Sequence, residues 1–210
     1  MTGRHDFQVV STKDIHVGRV VGLRLDEVSM PGGGTAMREV VEHLGAVAVV
    51  ALDEEGRVVL IHQYRHPLGH RLWELPAGLL DVDGEAPVAS AARELAEEVD
   101  LKAEEWATLV DIAASPGFTD EVVRVFLARG LSPAGREEPE GDEEADIVVQ
   151  RFPLAEAVAM VLRGEIVNGS TSAGILAAQL VQTGAATPRP TDAPWPDQPK
   201  SFAKRIKDRS

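Results

Sequence analysis

The stretch from Glu85 to Asp100 constrains the fold more than any other part of this chain, because its apolar and charged residues follow a helical period. The apolar positions lie three or four residues apart and are Val88, Ala91, Ala92, Leu95 and Val99. This spacing places them on one face of an α-helix. Pro87 suits the first turn, where its missing N–H removes no hydrogen bond, and we expect Asp83, Gly84 and Glu85 to supply the cap and the partners of the helix dipole. One amphipathic helix is therefore predicted here.

Three carboxylates share one side of this helix. At 3.6 residues per turn, Glu94, Glu97 and Glu98 fall within roughly a 100° arc. Like charges at this spacing destabilise a helix slightly unless an opposite charge lies between them. A divalent cation supplies that charge, and an oxygen-only ligand set suits Mg²⁺ or Mn²⁺. From the spacing alone, a solvated acidic helix face is the alternative.

The composition bounds the class of protein. The chain has 210 residues, 44% of them hydrophobic, no cysteine, and a net charge of −13. Its length corresponds to one domain, or to one domain with an appendage. The missing cysteine excludes a disulfide framework, a thiolate nucleophile and a cysteine zinc site. The negative charge repels polyphosphate backbones, so we expect no nucleic acid partner.

No targeting or membrane segment is expected. No run approaches the roughly 18 apolar residues that a spanning helix needs, and the N-terminus lacks the apolar core of a signal peptide. We therefore expect a cytoplasmic protein with no membrane partner.

The N-terminal third predicts β-structure. Residues 17–28 and 40–52 are apolar runs separated by a Pro and glycine segment at 30–34, which favours a hairpin-like appendage. Residues 47–52 and 58–62 are β-branched and are joined by a turn that ends in glycine. This pattern predicts that the two segments are paired strands.

Further elements are predicted toward the C-terminus. They are strands over 122–128 and 147–152 and helices over 154–163 and 170–183. Ser170 or Thr171 is the expected cap of the second helix. The proline-rich and then basic composition from residue 185 onward predicts a mobile tail, in which Trp195 and Phe202 favour partial order. Strands and helices are mixed, so the expected class is α/β or α+β.

Residues 78–101 resemble the Nudix box, Gly-x5-Glu-x7-Arg-Glu-U-x-Glu-Glu-x-Gly-U, in which U is aliphatic. The part from Glu85 to Glu98 matches in full, with Arg93-Glu94-Leu95 and Glu97-Glu98 in register. The sequence departs from the pattern twice. One extra residue separates Gly78 from Glu85, and Asp100 stands where the box has its last glycine, although Asp tolerates the left-handed conformation less well.

This resemblance implies a Nudix-type α/β/α sandwich of mixed sheet with a smaller N-terminal β appendage. The corresponding division is 1–45 for the β segment, 46–184 for the Nudix domain and 185–210 for the tail. In the resembling family the N-terminal segment commonly exchanges between subunits, so a homodimer is expected.

The flanks of the box narrow the resemblance to the ADP-ribose pyrophosphatase branch. Residues 73–78 and 115–121 are similar to that branch, and Pro116 occupies the place of its marker proline about fifteen residues past the box. The implied reaction is metal-dependent hydrolysis of ADP-ribose to AMP and ribose 5-phosphate. The alternatives are another nucleoside diphosphate derivative, such as a nucleotide sugar or dinucleoside polyphosphate, and a non-catalytic nucleotide-binding module.

The resemblance also implies roles for individual residues of the box. Glu94 and Glu98 would bind Mg²⁺ or Mn²⁺ together with the Ala77 carbonyl, and Glu97 would be a ligand or position the water. Arg93 would orient the carboxylates, and Glu85 would brace the box. As the base, or a further metal partner, the branch uses a glutamate on a downstream loop. In the acidic stretch 136–146 the candidates are Glu140, Asp142, Glu143 and Glu144, with Glu143 ranked first and Glu144 second.

Substrate contacts are expected from residues on both sides of the box. Arg65 follows a strand and suits bidentate binding of a phosphate, and Arg71 is a second candidate. Glu74, Tyr64 and Phe118 complete the expected substrate-binding set, although core packing is the alternative for the two aromatic residues.

Overall fold

A computed structural model describes residues 5–135 and 146–207 of the chain. The chain forms two compact units. The first comprises Met1–Gly45, Ala113–Val122 and Asp197–Ser210, and the second comprises Ala46–Ile112 and Val123–Pro196. The division predicted from the sequence, 1–45, 46–184 and 185–210, stays a prediction.

The first unit is built on a three-stranded antiparallel sheet. Its strands are β1 (Val9–Val17), β2 (Val21–Ser29) and β3 (Thr35–His43), in the order β1-β2-β3. No strand was predicted over 9–17, because β1 is exposed at eight of its nine positions and therefore has no buried face to impose an alternating pattern.

The second unit contains two sheets. The four-stranded sheet has the order β7-β4-β9-β8, with strands β4 (Ala46–Ala51), β7 (Ala77–Leu79), β8 (Leu101–Ala113) and β9 (Val122–Pro133). The three-stranded sheet has the order β10-β5-β6, with strands β5 (Arg57–Arg65), β6 (His70–Glu74) and β10 (Val148–Pro153). Strand β4 pairs parallel to β9 and antiparallel to β7, so the larger sheet is mixed.

The predicted pairing of the segments 47–52 and 58–62 is wrong. These segments lie in β4 and β5, which belong to different sheets and share only one bridge, between Leu52 and Val58. Strand β4 is almost entirely buried and β5 is buried over Val58–Ile61, and β4 needs the parallel partner β9 to cover it. A turn signal specifies the reversal of the chain but not how far the pairing continues beyond it.

Helices cover both faces of the larger sheet. Helix α1 (Pro87–Val99) buries Ala91 and Leu95 against Val47, Val49 and Phe126. Helices α2 (Leu154–Leu162) and α3 (Gly169–Gln182) belong to a second hydrophobic core, on the other face of the sheet. The residues of this second core include Ala48, Val50, Val125, Ala157, Met160, Ile175 and Ala178. Alternate residues of β4 thus enter opposite cores, which gives the α/β/α sandwich expected from the sequence.

Two predicted helix caps are wrong. Helix α1 begins after Ala86, which makes no side-chain capping bond, and Pro87 occupies the first turn as expected. Helix α3 is capped by Asn168, whose side chain accepts from the Thr171 N–H at 2.9 Å. In both helices the true cap lies outside the residues predicted for it, which is the usual uncertainty of boundaries read from sequence.

Both departures from the box pattern are absorbed without disturbing α1. The extra residue lies in a turn, where Gly84 has a φ of 74° and Glu85 N–H donates to the Val82 carbonyl at 3.3 Å. Asp100 ends the helix with a φ of 54° and a ψ of 39°, the left-handed conformation that glycine usually supplies. Asp100 therefore terminates α1 as the glycine of the pattern would, at some conformational cost.

The segment before the last helix is held by Arg124 of β9. This side chain pairs with Asp111 at 2.7 Å, donates to the Ala193 carbonyl at 2.8 Å and lies 4.5 Å from the Trp195 ring centroid. Arg189 also pairs with Asp111. The composition could not indicate this contact, and predicted a mobile tail, because Arg124 and Asp111 lie far from the segment in the sequence.

Within the described ranges, no helix is long and apolar enough to cross a membrane.

Candidate active site

Helix α1 brings an arginine and two of the predicted carboxylates together. Arg93 Nη1 lies 2.8 Å from Glu94 Oε1 and 2.9 Å from Glu97 Oε2. Burial alone would lower the pKa of Arg93, but the carboxylates of Glu85, Glu94 and Glu97 around it raise that pKa instead. Arg93 is therefore a permanent cation within the acidic cluster, as an orienting role requires.

Glu85 supports Arg93 from the loop before the helix. Its carboxylate accepts from the buried Ser90 hydroxyl at 2.5 Å and lies 3.4 Å from the Arg93 guanidinium. Asp81 Oδ1 lies 3.8 Å from Nη2 of the same guanidinium. The hydrogen bond from Ser90, followed by the contact with Arg93, lowers the pKa of Glu85. Glu85 thus fixes both the helix and the arginine.

Replacing Ser90 with Ala is expected to reduce the free energy of unfolding by about 1.5 kcal/mol at pH 7, since a hydrogen bond to a charged group is lost. Because the pKa of Glu85 is depressed in the folded state, this bond stabilises the protein above the ordinary value of 4.5 and ceases to do so as the pH falls through the folded pKa. The difference between wild type and Ser90→Ala should therefore shrink below about pH 4.5 in denaturant titrations. A difference that grows on acidification would contradict the assignment.

Glu98 contacts the corner between β6 and β7, residues 75–77, which comes just before the box. Its Oε2 accepts from the Ala77 N–H at 2.9 Å. The same corner is held by the Thr171 hydroxyl, which accepts from Leu75 N–H at 3.0 Å, and by the Pro76 carbonyl, which accepts from Val49 N–H at 2.9 Å. Three elements of the second unit therefore fix the backbone beside the acidic cluster.

Gly78 provides the space for Glu94. A Cβ built at Gly78 would overlap the carboxyl group and Cγ of Glu94, which is mostly buried. Burial raises the pKa of Glu94, and the neighbouring Arg93 opposes that shift. The glycine at the start of the box is thus required by close packing and not by an unusual backbone conformation.

The donor chemistry of the cluster fits a hard divalent cation. Glu94, Glu97 and Glu98 offer carboxylate oxygens, and a cradle that only glycine permits lies beside Glu94. Within residues 5–135 and 146–207, however, no three acidic or histidine side chains are arranged as a metal site. In the structure Arg93 bridges Glu94 and Glu97, and Glu98 accepts a hydrogen bond from the Ala77 N–H.

Arg65 is anchored by a buried carboxylate. Glu74 is 2% exposed and accepts from Arg65 Nη2 at 2.6 Å and from Nε at 3.0 Å. Gln63 donates to the same carboxylate at 3.2 Å. Both oxygens of Glu74 are thus occupied, whereas the Arg65 side chain is 43% exposed. Glu74, predicted to bind substrate, supports Arg65 in this arrangement.

The other predicted substrate residues are more dispersed. Arg71 pairs with Asp146, and its Nη1 donates to the Asp146 carbonyl at 3.1 Å. Tyr64 is 50% exposed and lies near His66, and Phe118 is exposed in the first unit. Glu140, Asp142, Glu143 and Glu144, the four base candidates, lie outside the described residues.

The NUDIX domain profile matches residues 41–170. The chain belongs to the Nudix family. It is 55% identical over 205 residues to the ADP-ribose pyrophosphatase of Mycobacterium tuberculosis, with 98% of this chain and 99% of that protein covered. It is also 39% identical over 179 residues to the methanol dehydrogenase activator of Bacillus methanolicus, with 83% of this chain and 92% of the relative covered.

A solved structure confirms the Nudix fold. The crystal structure of an ADP compounds hydrolase matches with a TM-score of 0.76 over 89% of this chain and 99% of that chain. The sequence identity is 20%, so this likeness concerns the fold alone.

Three side chains that support the Nudix site were not predicted from the sequence. Ser90 holds Glu85, Gln63 holds Glu74, and Thr171 holds the corner before the box. A signal for Ser90 was present, since a hydroxyl beside the apolar positions of α1 needs a nearby partner. Thr171 is 96 residues from Leu75, and no local pattern links them.

Proposed function

We propose that this protein is a metal-dependent ADP-ribose pyrophosphatase. It adds water across the phosphoanhydride bond of ADP-ribose and releases AMP and ribose 5-phosphate. The observation that carries the proposal is the cluster at α1, in which Arg93, Glu94 and Glu97 are in contact while Glu98 is held beside Ala77. The full-length similarity to the Mycobacterium tuberculosis enzyme supports the choice of ADP-ribose.

In this function the residues of the box have different roles. Glu94, Glu98 and the Ala77 carbonyl would hold Mg²⁺ or Mn²⁺, and Glu97 would be a further ligand or position the attacking water. An ion held there would supply charge neutralisation of the phosphates and activation of water. Arg93 orients Glu94 and Glu97 and does not contact substrate, which its four acidic neighbours support.

The diphosphate is bound by arginines of the three-stranded sheet in the second unit. Arg65 is the main contact, because Glu74 holds its guanidinium while leaving it partly exposed. Arg71 is a second contact, and Tyr64 and Phe118 pack against the nucleoside part of the substrate. The exposure of both rings leaves their faces available for this purpose.

The catalytic base is Glu143, with Glu144 ranked second. Glu143→Gln is expected to lower kcat by about a hundredfold or more, with little change in the metal concentration needed for half-maximal rate, because a general base acts on the water and not on the ion. Parallel kinetics of Glu144→Gln provide the matched comparison. If Glu144→Gln is the slower variant, the ranking is wrong.

Two other functions are weighed against this one. Another nucleoside diphosphate derivative, such as a nucleotide sugar or dinucleoside polyphosphate, would use the same cluster and differ only in the groups beyond the diphosphate. A non-catalytic nucleotide-binding module has no need of the complete set of Arg93, Glu94, Glu97 and Glu98, all of which this chain retains.

Product analysis tests the function directly. The purified protein is incubated with ADP-ribose and Mg²⁺, and in parallel with chelator. AMP and ribose 5-phosphate in equal amounts, formed only with metal, are the expected result. A nucleotide sugar turned over faster than ADP-ribose would favour the related substrate class, and binding without turnover under Mg²⁺ and Mn²⁺ would favour the module.

The same proposal includes a homodimer in the cytoplasm. Strand β1 pairs only with β2, and its second edge is open among the described residues. Strand β1 and the segment just before it expose four apolar side chains, Phe7, Val9, Val10 and Ile15. An exposed edge with apolar side chains favours association with a second chain. Light scattering at micromolar concentration should give twice the chain mass of 22.5 kDa, and a monomer mass would contradict the dimer.

A further inference from the structure

We propose that Arg205 and Glu42 are positioning residues that hold the segment 115–121 in place. This inference rests on the proposed function, in which Phe118 of that segment contacts substrate. All of the residues involved belong to the first unit. The connection runs from helix α4 (Ser201–Lys207) through the end of β3 to the segment that carries Phe118.

Helix α4 is seated on the sheet by one aromatic side chain. Phe202 is fully buried, and a Cβ built at Gly22 of β2 would lie 2.7 Å from its Cε2. Only glycine at position 22 leaves room for the ring. The contact fixes where α4 lies on the sheet, and therefore where Arg205, one turn further along, meets β3.

Arg205 then joins a network around a buried carboxylate. Glu42 of β3 is 0% exposed, and each of its two carboxylate oxygens pairs with a different arginine, Oε1 with Arg24 and Oε2 with Arg205. Arg205 also pairs with Asp14 of β1. A cavity of about 400 Å³ adjoins the network and is lined by Thr12, Asp14, Arg24, Glu42, Ser201 and Arg205. Removing one partner of such a carboxylate is costly, because the remaining charge stays buried.

The two neighbours of Glu42 in β3 hold the segment that follows β8. Val41 N–H donates to the Phe118 carbonyl at 2.7 Å, and the Val41 carbonyl accepts from Asp120 N–H at 3.2 Å. His43 N–H donates to Asp120 Oδ1 at 2.8 Å. Glu42 therefore lies in β3 between Val41 and His43, the two residues that hydrogen-bond to Phe118 and Asp120. A shift of Glu42 moves both of these neighbours.

Amide hydrogen exchange of Arg205→Gln tests the positioning without reference to turnover. The amides of Val41, His43 and Asp120 are expected to exchange about tenfold faster than in wild type, because local opening becomes easier when Glu42 loses one arginine. Amides of β4 in the second unit should not change. Lys204→Gln is the matched control, since it removes one charge from an exposed position of the same helix. Unchanged exchange at all three amides in Arg205→Gln would overturn the proposal.

Kinetics then test the link to substrate. With ADP-ribose, Arg205→Gln should raise KM about fivefold to tenfold while kcat stays within about twofold, since the variant disturbs binding and leaves the box intact. Arg205→Lys should recover part of the loss, because it keeps the charge opposite Glu42 but loses the planar guanidinium whose two terminal nitrogens contact Glu42 and Asp14 separately. Arg205→Lys also replaces Arg205→Gln in both experiments if the latter fails to fold.

The two levels of the proposal fail in different ways. If wild type does not hydrolyse ADP-ribose, the proposed function fails while the exchange data still decide the positioning. If the three amides exchange faster but KM is unchanged, Arg205 does not position a substrate contact and the inference is overturned.

Discussion

Glu94→Gln is expected to lower kcat for ADP-ribose by about a hundredfold to a thousandfold, the scale of losing one charged group from a preorganised site. Glutamine keeps the size of the side chain, and it keeps the helix, so the fold should not change. What it removes is the negative charge of a mostly buried carboxylate that contacts Arg93. Steady-state kinetics with a Mg²⁺ titration should also show that more metal is needed for half-maximal rate.

Glu105→Gln supplies the matched control for Glu94→Gln. Glu105 is an exposed carboxylate on β8, so the same loss of one charge should leave kcat unchanged. Near-normal turnover in Glu94→Gln would remove Glu94 from the metal-binding set. An equal loss in both variants would show that net charge, and not position, is responsible.

Gly78→Ala is expected to produce a comparable loss of activity by a different route. The added methyl group would overlap the carboxyl group of Glu94, which must then move away from Arg93 and from its place beside Ala77–Leu79. We expect kcat to fall by about a hundredfold or more, together with a loss of about 1–3 kcal/mol in the free energy of unfolding from overpacking. Kinetics and denaturant titration measure the two effects separately.

Gly169→Ala is the control for Gly78→Ala. Gly169 is the first residue of α3, and a Cβ at this position would meet nothing within 4 Å. The same substitution should therefore leave both activity and stability close to wild type. If Gly78→Ala retains normal turnover, Glu94 has a second productive position, and the close packing seen here is not required for catalysis.

Much of the second unit could be predicted because its signals are local. Helix α1 and the helices α2 and α3 have apolar periods that match their burial, and the strand at 122–128 is a mostly apolar run that is buried throughout. The predictions failed where the deciding interaction lay far along the chain. Strand β1 has no buried face, and the placement of β4 and β5 in different sheets depends on partners more than 60 residues away.

The candidate site shows the same division. The carboxylates on one side of α1 follow from the helical period, since residues three and four apart are neighbours on a helix. Arg65 and Glu74 were both predicted to bind substrate, and their contact was not predicted, because the sequence does not tell which of two charged residues is buried. In the structure Glu74 is buried and Arg65 is partly exposed, and burial follows from strand pairing and packing.

The sequence by itself determined the α1 helix, its cluster of Arg93, Glu94, Glu97 and Glu98, and the resemblance to the Nudix family, because all of these depend on residues within a few helical turns. Only the tertiary structure decided that Gly78 makes room for Glu94, that Ser90 holds Glu85, and that α4 packs on the N-terminal sheet. The physical reason is that close packing and buried hydrogen bonds join residues by their positions in space, which no local pattern records.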